Sequence, residues 1–187
     1  MNHETAPEFL AAWDANKQIL RETYLSNQEH DACGVGLVAA LDGKKRRDIV
    51  QAGIDALKAV WHRGAVDADG KTGDGAGIHI EIPQDFFADE IKRGGDRLRE
   101  SPIAVGMVFL PKTDLGAQER CRQIVETEIL NFGYRIYGWR QVPINVACIG
   151  EKANATRPEI EQIMLWNARG IAEDEFEREL YIIRRKI

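Results

Sequence analysis

The first stretch able to do chemistry begins at Cys33, which opens a short apolar run containing two glycines. The run is Cys33-Gly34-Val35-Gly36-Leu37-Val38. A cysteine thiolate is a good nucleophile, and neighbouring glycines allow the backbone to approach a ligand closely. A cysteine in an apolar run is just as readily a small core residue. Taken alone, the stretch leaves both interpretations open.

The second stretch is rich in glycine and aspartate and spans residues 61–77. It contains five glycines and three aspartates: Gly64, Gly70, Gly73, Gly75, Gly77, Asp67, Asp69 and Asp74. So many glycines cost conformational entropy, and such a density is typical of backbone that needs positive φ or approaches a ligand closely. This loop is therefore the second candidate functional site.

Several common site types do not fit this loop. It lacks the Gly-Lys-Ser/Thr ending of a phosphate-binding Walker loop and the ordered Gly-x-Gly-x-x-Gly of a dinucleotide site. Asp67 to Gly70 has the D-x-D-G order of a calcium loop, but no glutamate stands at the closing position. We therefore predict no metal ligands in this chain.

Composition narrows the class of protein. The 187 residues carry a net charge of -5, which gives no electrostatic case for binding nucleic acid. The basic cluster at 44–47 lies between Asp42 and Asp48, which favours a solvated turn over an anion-binding or partner patch. The three cysteines, Cys33, Cys121 and Cys148, are odd in number, widely spaced and without a C-x-x-C pair, so they indicate neither a disulfide framework nor a zinc site. No secretory signal or membrane-spanning run is present, so we expect a soluble, cytoplasmic protein.

The remaining chain alternates strand and helix patterns and predicts an α+β layered domain of about six strands and five helices. Cys121 and Cys148 are interpreted as core residues. The predicted strands are 34–41, 78–82, 103–110, 134–142 and 146–149, and predicted helices begin near Ile49, Pro83, Asp114 and Thr156, the last from a capping box followed by an apolar face. The chain stops inside a structured-looking element, 176–187, which suggests a truncated protein.

Residues 1–32 form a leader with a helical pattern after Pro7. Its composition favours a helix packed on the domain, and the alternative is a propeptide removed just before Cys33.

Three segments together resemble the amino-terminal part of the glutamine amidotransferase domain of the glutamate synthase large subunit. They are Cys33 to Gly36, Trp61 to Ala65 and Thr72 to Gly77. The segments at 105–111 and 158–162 resemble the same family in the same order. The resemblance runs from Cys33 to the last residue and is specific in combination, although Cys-Gly-Val-Gly alone is a weak motif.

The resemblance implies the N-terminal-nucleophile fold, a four-layer αββα sandwich of which residues 33–187 form the first portion. It also reverses the interpretation of residues 1–32, which become a removable propeptide. Cys33 is then the catalytic nucleophile, and its freed α-amine is the general base. The implied reaction is hydrolysis of L-glutamine to glutamate and ammonia through a Cys33 thioester, with the ammonia used for glutamate synthesis from 2-oxoglutarate.

The same resemblance implies three substrate-binding residues, Arg63, Gly64 and Asp74. Arg63 matches the family arginine that holds the α-carboxylate of glutamine, and a guanidinium suits that task because its planar fork can donate two hydrogen bonds. The alternative is that Arg63 ties down the glycine-rich loop. For Asp74 we keep two interpretations, a contact that holds the loop and a contact with the substrate amine.

Members of the family provide their oxyanion hole with an Asn-Gly pair, and this sequence contains no such dipeptide. The resemblance therefore implies that the oxyanion groups, and domains carrying FMN, iron–sulfur clusters and access to a reduced electron donor, lie outside this chain. The implied partners are the remainder of the large subunit and a small reductase subunit, without nucleic acid or membrane. The alternative function is a non-catalytic fragment or ligand-binding remnant of a class II amidotransferase.

Overall fold

The computed structural model describes residues 34–60 and 64–187, together with the isolated positions 11, 14, 15 and 18. Two of the predicted site residues, Cys33 and Arg63, and most of the predicted leader lie outside the described residues. The chain divides into two units, Met1–Gly36 and Leu37–Ile187. The elements below all belong to the second unit.

A three-stranded antiparallel sheet organises this unit. Its strands are β1 (Ile103–Leu110), β2 (Arg135–Gln141) and β3 (Glu159–Trp166), in the spatial order β1-β3-β2. The last strand runs antiparallel to both neighbours, so β1 and β2 are parallel to each other with β3 inserted between them. This arrangement is a split β-α-β unit, because a helix connects β1 to β2.

The described part of the chain contains five α-helices. They are α1 (Arg47–Ala59), α2 (Gln84–Arg93), α3 (Leu115–Asn131), α4 (Glu151–Thr156) and α5 (Glu173–Lys186). Asp114 caps α3 as predicted, its carboxylate accepting a hydrogen bond of 2.8 Å from the backbone N–H of Ala117. The last helix begins with three acidic residues and ends with three basic ones, an arrangement that stabilises the helix because it complements the helix dipole.

The sheet carries a hydrophobic core on each face. On one face α3 and α5 pack against the strands, and on the other α2 does. The first core contains Ala104, Val125, Ile129, Tyr134, Ile163, Leu165, Phe176 and Ile183; the second contains Phe87, Ile91, Ile103 and Met164. Neighbouring side chains of β3 enter opposite cores because successive residues of a strand point to opposite faces.

Two buried polar groups tie the helices to the sheet. Arg122 of α3 donates to both carboxylate oxygens of Glu161, at 2.8 and 2.6 Å, forming a forked ion pair with the central strand. The hydroxyl of the fully buried Tyr134 donates to Glu179 of α5, which also accepts from Arg169. Both carboxylates therefore have partners despite little contact with water.

The predicted helix after Thr156 is wrong, because residues 159–166 form the central strand β3. Three consecutive buried side chains, Ile163, Met164 and Leu165, suit a strand covered on both faces as well as they suit a buried helix. Pro158, which the sequence predicts to lie at the start of this helix, instead follows the end of α4. Proline disfavours helical geometry in the residue before it, and α4 ends at Thr156, two residues before Pro158.

Three predicted strands are also wrong. Residues 34–40 are irregular, and Val35 and Leu37 are 95% and 93% exposed; residues 78–82 are irregular as well. A strand needs a neighbour for its backbone hydrogen bonds, and none of the three strands described here pairs with either segment. The third, at 146–149, is a 3-10 turn, Val146–Cys148, started by the side chain of Asn145, which accepts from the N–H of Ala147.

Two cysteine predictions have different outcomes. Cys148 is exposed, so its assignment to the core is wrong. Cys121 is half-buried within α3.

At the basic cluster, Lys45 pairs with Glu81 at 2.5 Å and Arg46 lies near Asp42 and Asp48. All of these side chains are exposed to solvent, as the interpretation of a solvated turn requires.

Burial and the hydrogen bond to Glu179 raise the pKa of Tyr134 to about 12. Between pH 10 and pH 12 the folded chain keeps a proton that the unfolded chain has lost, so stability falls as the pH rises through this interval. A shift of two units corresponds to about 2 to 3 kcal/mol. We expect denaturant unfolding to show this loss in the 187-residue chain and a weaker loss in Tyr134→Phe. Parallel stability curves for the two proteins would contradict the assignment.

Candidate functional site: the glycine-rich hairpin

The glycine-rich loop forms a small hairpin in the structure. Val66 and Gly73 make an antiparallel bridge, and the N–H of Asp67 donates to the carbonyl of Thr72 at 2.7 Å. At the tip, Gly70 has φ of 69° and its N–H donates to the carbonyl of Asp67. The positive φ explains a glycine at this position, since other residues adopt it at a cost. The predicted loop is therefore an ordered turn.

Asp69 organises the tip of the hairpin. One carboxylate oxygen accepts from the N–H groups of Lys71 and Thr72 at 2.9 and 2.6 Å, and the other accepts from the Thr72 hydroxyl at 2.5 Å. These hydrogen bonds, led by that of the hydroxyl, hold the pKa of Asp69 far below its usual range. The D-x-D-G order that resembles a calcium loop here folds as a self-capped turn.

Asp74 closes the open end of the hairpin. Its carboxylate Oδ2 accepts from the N–H of Ala65 at 2.9 Å, while its own N–H donates to the carbonyl of Ala65 at 3.2 Å. The loop-holding role is thus visible, and Oδ1 has no hydrogen bond to the described part of the chain. Gly64 is exposed and joins Ala65 to Arg63. The hairpin therefore brings two predicted substrate residues, Gly64 and Asp74, to the same end.

The hairpin is attached to the start of α4, about 80 residues further along the chain. The ammonium of Lys152 donates to both carboxylate oxygens of Asp67, at 2.7 and 2.8 Å. Gly150, which precedes α4, lies so close to Thr72 that a Cβ there would be 2.2 Å from its hydroxyl oxygen. Sequence reasoning missed both residues, since no local pattern links position 150 to position 72.

Two open cavities lie on the described surface. One, of about 250 Å³, is formed by the hairpin itself, with Asp67, Thr72 and Asp74 among its lining residues. The other, of about 330 Å³, lies at one end of the sheet and contains none of the predicted site residues; its lining includes Arg97, Arg99, Arg135, Tyr137 and Trp166. Of these two cavities, the hairpin cavity is the one lined by residues of the glycine-rich loop that the sequence marks as a candidate site.

The described residues offer no metal centre. Among positions 34–60 and 64–187 there is no group of three or more histidine, cysteine or acidic side chains placed to hold a metal ion. Cys121 and Cys148 lie apart as free thiols, so this part of the chain does not fit an iron–sulfur cluster. Within the same residues, no helix is both long and apolar enough to cross a membrane.

Comparison with known proteins gives one family and a consistent set of relatives. A model of the class-II glutamine amidotransferases matches residues 33–187. The chain is 64% identical over 182 residues to the glutamate synthase [NADPH] large chain of Azospirillum brasilense. It is 41% identical over 160 residues to the chloroplastic ferredoxin-dependent glutamate synthase of Spinacia oleracea and 37% identical over 164 residues to the glutamate synthase [NADPH] large chain of Bacillus subtilis.

These relatives are much longer proteins. The three alignments cover 96%, 85% and 87% of this chain but only 12%, 10% and 11% of the relatives. The family match, by contrast, takes in every residue from position 33 onward. Since that match covers most of the sequence, the chain belongs to the class-II glutamine amidotransferases.

Proposed function

We propose that this chain carries the glutaminase half-reaction of a glutamate synthase, with Cys33 as its nucleophile. The observation that supports the proposal most directly is the starting point of the family match, which is residue 33. A cysteine stands at that position, followed by two closely spaced glycines. The 64% identity to a glutamate synthase large chain favours this member of the family over other amidotransferases.

The proposed chemistry needs a free α-amine on Cys33. A thiol with a pKa of about 8.5 is mostly protonated at neutral pH, and an α-amine with a pKa near 8 can accept its proton directly or through water. The sulfur then attacks the side-chain amide carbon of glutamine, and ammonia leaves with the proton carried by the amine. Water hydrolyses the resulting thioester to glutamate and regenerates the thiol.

This mechanism gives residues 1–32 a role. While the leader is attached, the nitrogen of Cys33 belongs to an amide and cannot act as a base, so the uncut chain is inactive. The A. brasilense alignment spans 182 residues, whereas positions 33–187 contain only 155, so the alignment extends into the leader. We propose that cleavage between residues 32 and 33 activates the enzyme.

The hairpin supplies the proposed substrate contacts. Arg63 would hold the α-carboxylate of glutamine with two parallel hydrogen bonds. Gly64 leaves room for the substrate beside the backbone, and the unused Oδ1 of Asp74 would accept from the α-ammonium group. Support comes from the open end of the hairpin, opposite the tip. There Ala65 and Asp74 are hydrogen-bonded, and Arg63 is only two residues from Ala65 in the sequence.

The remaining parts of the proposed synthase lie beyond this chain. The family fold is the four-layer αββα sandwich, and residues 33–187 would contribute its first portion together with the split β-α-β unit. Oxyanion-hole donors, FMN, iron–sulfur clusters and a small reductase subunit would come from outside these residues, in a cytoplasmic enzyme. The ammonia would be consumed in the synthesis of glutamate from 2-oxoglutarate.

The first test labels the full-length enzyme with a glutamine-mimicking electrophile and determines its amino terminus. We expect the mature protein to begin at Cys33 and to be labelled there. Cys33→Ala should lower glutamine hydrolysis by about a thousandfold or more, because the covalent step is lost. The exposed Cys148 is the internal control for labelling by accessibility alone. Equal labelling of Cys148 and Cys33, with an intact Met1 terminus, would refute the assignment.

A second test replaces Arg63 by lysine. Lysine keeps the charge and loses the planar fork, so we expect the glutamine KM to rise about tenfold while kcat changes little, as for loss of ground-state binding. Arg120→Lys is the matched control, since Arg120 is an exposed arginine on α3 and is not one of the predicted site residues. If the two variants have the same KM, Arg63 does not bind the substrate.

A further inference from the structure

The hairpin approaches Gly150, the buried residue that precedes α4, very closely. A Cβ at position 150 would lie 2.2 Å from the Thr72 hydroxyl oxygen, 2.3 Å from Asp69 Oδ2 and 2.5 Å from the Thr72 backbone nitrogen. No side chain can be accommodated at such distances without moving the hairpin, because one of the three atoms is backbone. Gly150 is thus required here by the approach of another chain segment.

Hydrogen bonds from the two residues Lys152 and Ala153, in the first turn of α4 after Gly150, reinforce this approach. Lys152 makes two hydrogen bonds to Asp67, on the ascending arm of the hairpin. The N–H of Ala153 points to the Thr72 hydroxyl at 3.4 Å, on the descending arm. Both arms are therefore connected to the same turn of α4.

The residues of the hairpin that contact α4 also make hydrogen bonds within the hairpin. Thr72 donates its hydroxyl to Asp69, and the same oxygen faces Gly150 and Ala153. Asp67 is similarly shared, since its carbonyl accepts from Gly70 while its carboxylate binds Lys152. A displacement of the tip would break internal and external contacts together.

From this geometry we propose that Gly150 and Lys152 are positioning residues of the glutamine site, acting as a clamp on the hairpin that carries Gly64 and Asp74 and that directly follows Arg63 in the sequence. The inference rests on the proposed function, because its consequence is expressed through glutamine binding. The clamp touches no substrate atom. It fixes both arms of the hairpin. At the end opposite the tip, Ala65 and Asp74 are hydrogen-bonded to each other, and Arg63 lies two residues before Ala65 in the sequence.

The clamp residues Gly150 and Lys152 lie at the start of α4, between strands β2 and β3, and not in the glycine-rich loop. The turn of α4 that carries Lys152 is followed, after Pro158, by the central strand β3. β3 is paired on both edges and contributes to both cores, and α4 is joined to it through the two residues Arg157 and Pro158. Small misplacements of binding groups are costly in enzymes, and a shift of about 1 Å can reduce the rate about a hundredfold.

The test measures glutamine hydrolysis and amide hydrogen exchange in the full-length enzyme carrying Gly150→Ala. We expect the KM for glutamine to rise about tenfold or more with kcat nearly unchanged, because the displaced groups contribute uniform binding. Exchange at the hairpin amides of Asp67 and Thr72 should become faster. Gly116→Ala is the matched control, since a Cβ there meets only the ends of side chains, at 3.4 Å.

A milder pair of variants keeps the test decisive if Gly150→Ala fails to fold. Lys152→Ala removes an exposed ion pair and should raise the KM about two- to threefold, while Lys152→Arg should restore it. Lys71→Ala, on the same hairpin but without a carboxylate partner among the described residues, should leave the KM unchanged.

The possible failures are distinguishable. If the wild-type enzyme shows no Cys33-dependent hydrolysis, the proposed function fails, and hydrogen exchange alone then tests whether the clamp holds the hairpin. If exchange accelerates in Gly150→Ala while the glutamine KM stays at the wild-type value, the positioning role is wrong although the contact is real. Unchanged exchange and unchanged KM would reject the clamp altogether.

Discussion

The strand β3 is the constraint on which the rest of the described structure depends. Its three consecutive apolar residues, Ile163 to Leu165, are buried, and their alternation directs them into two separate cores. Neither core can form unless helices cover both faces of the sheet, which is why α2 lies on one side and α3 and α5 on the other. The forked pair between Arg122 and Glu161 adds a polar link from the same strand to α3. Desolvation offsets much of the attraction in such a pair, so its net contribution to stability is small.

The proposed site depends on this strand through a short series of contacts. Pro158 separates β3 from α4, and the first turn of α4 holds the glycine-rich hairpin at Gly150 and Lys152. The hairpin in turn presents Gly64 and Asp74 at its open end. A loop rich in glycine would lose much entropy on binding if it were free, so holding it beforehand lowers the cost of recognising a small substrate. A stable unit distant in sequence therefore gives order to a loop whose own composition disfavours it.

The sequence predicts most of the helices, part of the sheet and the family, for different physical reasons. Local signals are sufficient where the cause is local: Asp114 caps α3, and Pro102 and Pro111 bracket β1. They fail where the outcome is decided by distant partners. The segment at 159–166 has an apolar pattern compatible with helix or strand, and only pairing with β1 and β2 decides between them. Gly150 has no significance until the hairpin is seen against it, so the clamp could not be predicted from one sequence.

The two outer edges of the sheet differ in how they would meet another molecule in concentrated solution. Within the described residues, β1 and β2 each pair only with β3, which leaves one side of each strand without a ladder partner. On β2 that side is accompanied by Arg135, Arg140 and Gln141, and charged or polar side chains discourage strand addition. On β1, Met107 and Phe109 are 51% and 65% exposed, and no charge is present in the strand. Of these two edges, that of β1 is therefore the one whose side chains oppose the addition of a further strand less.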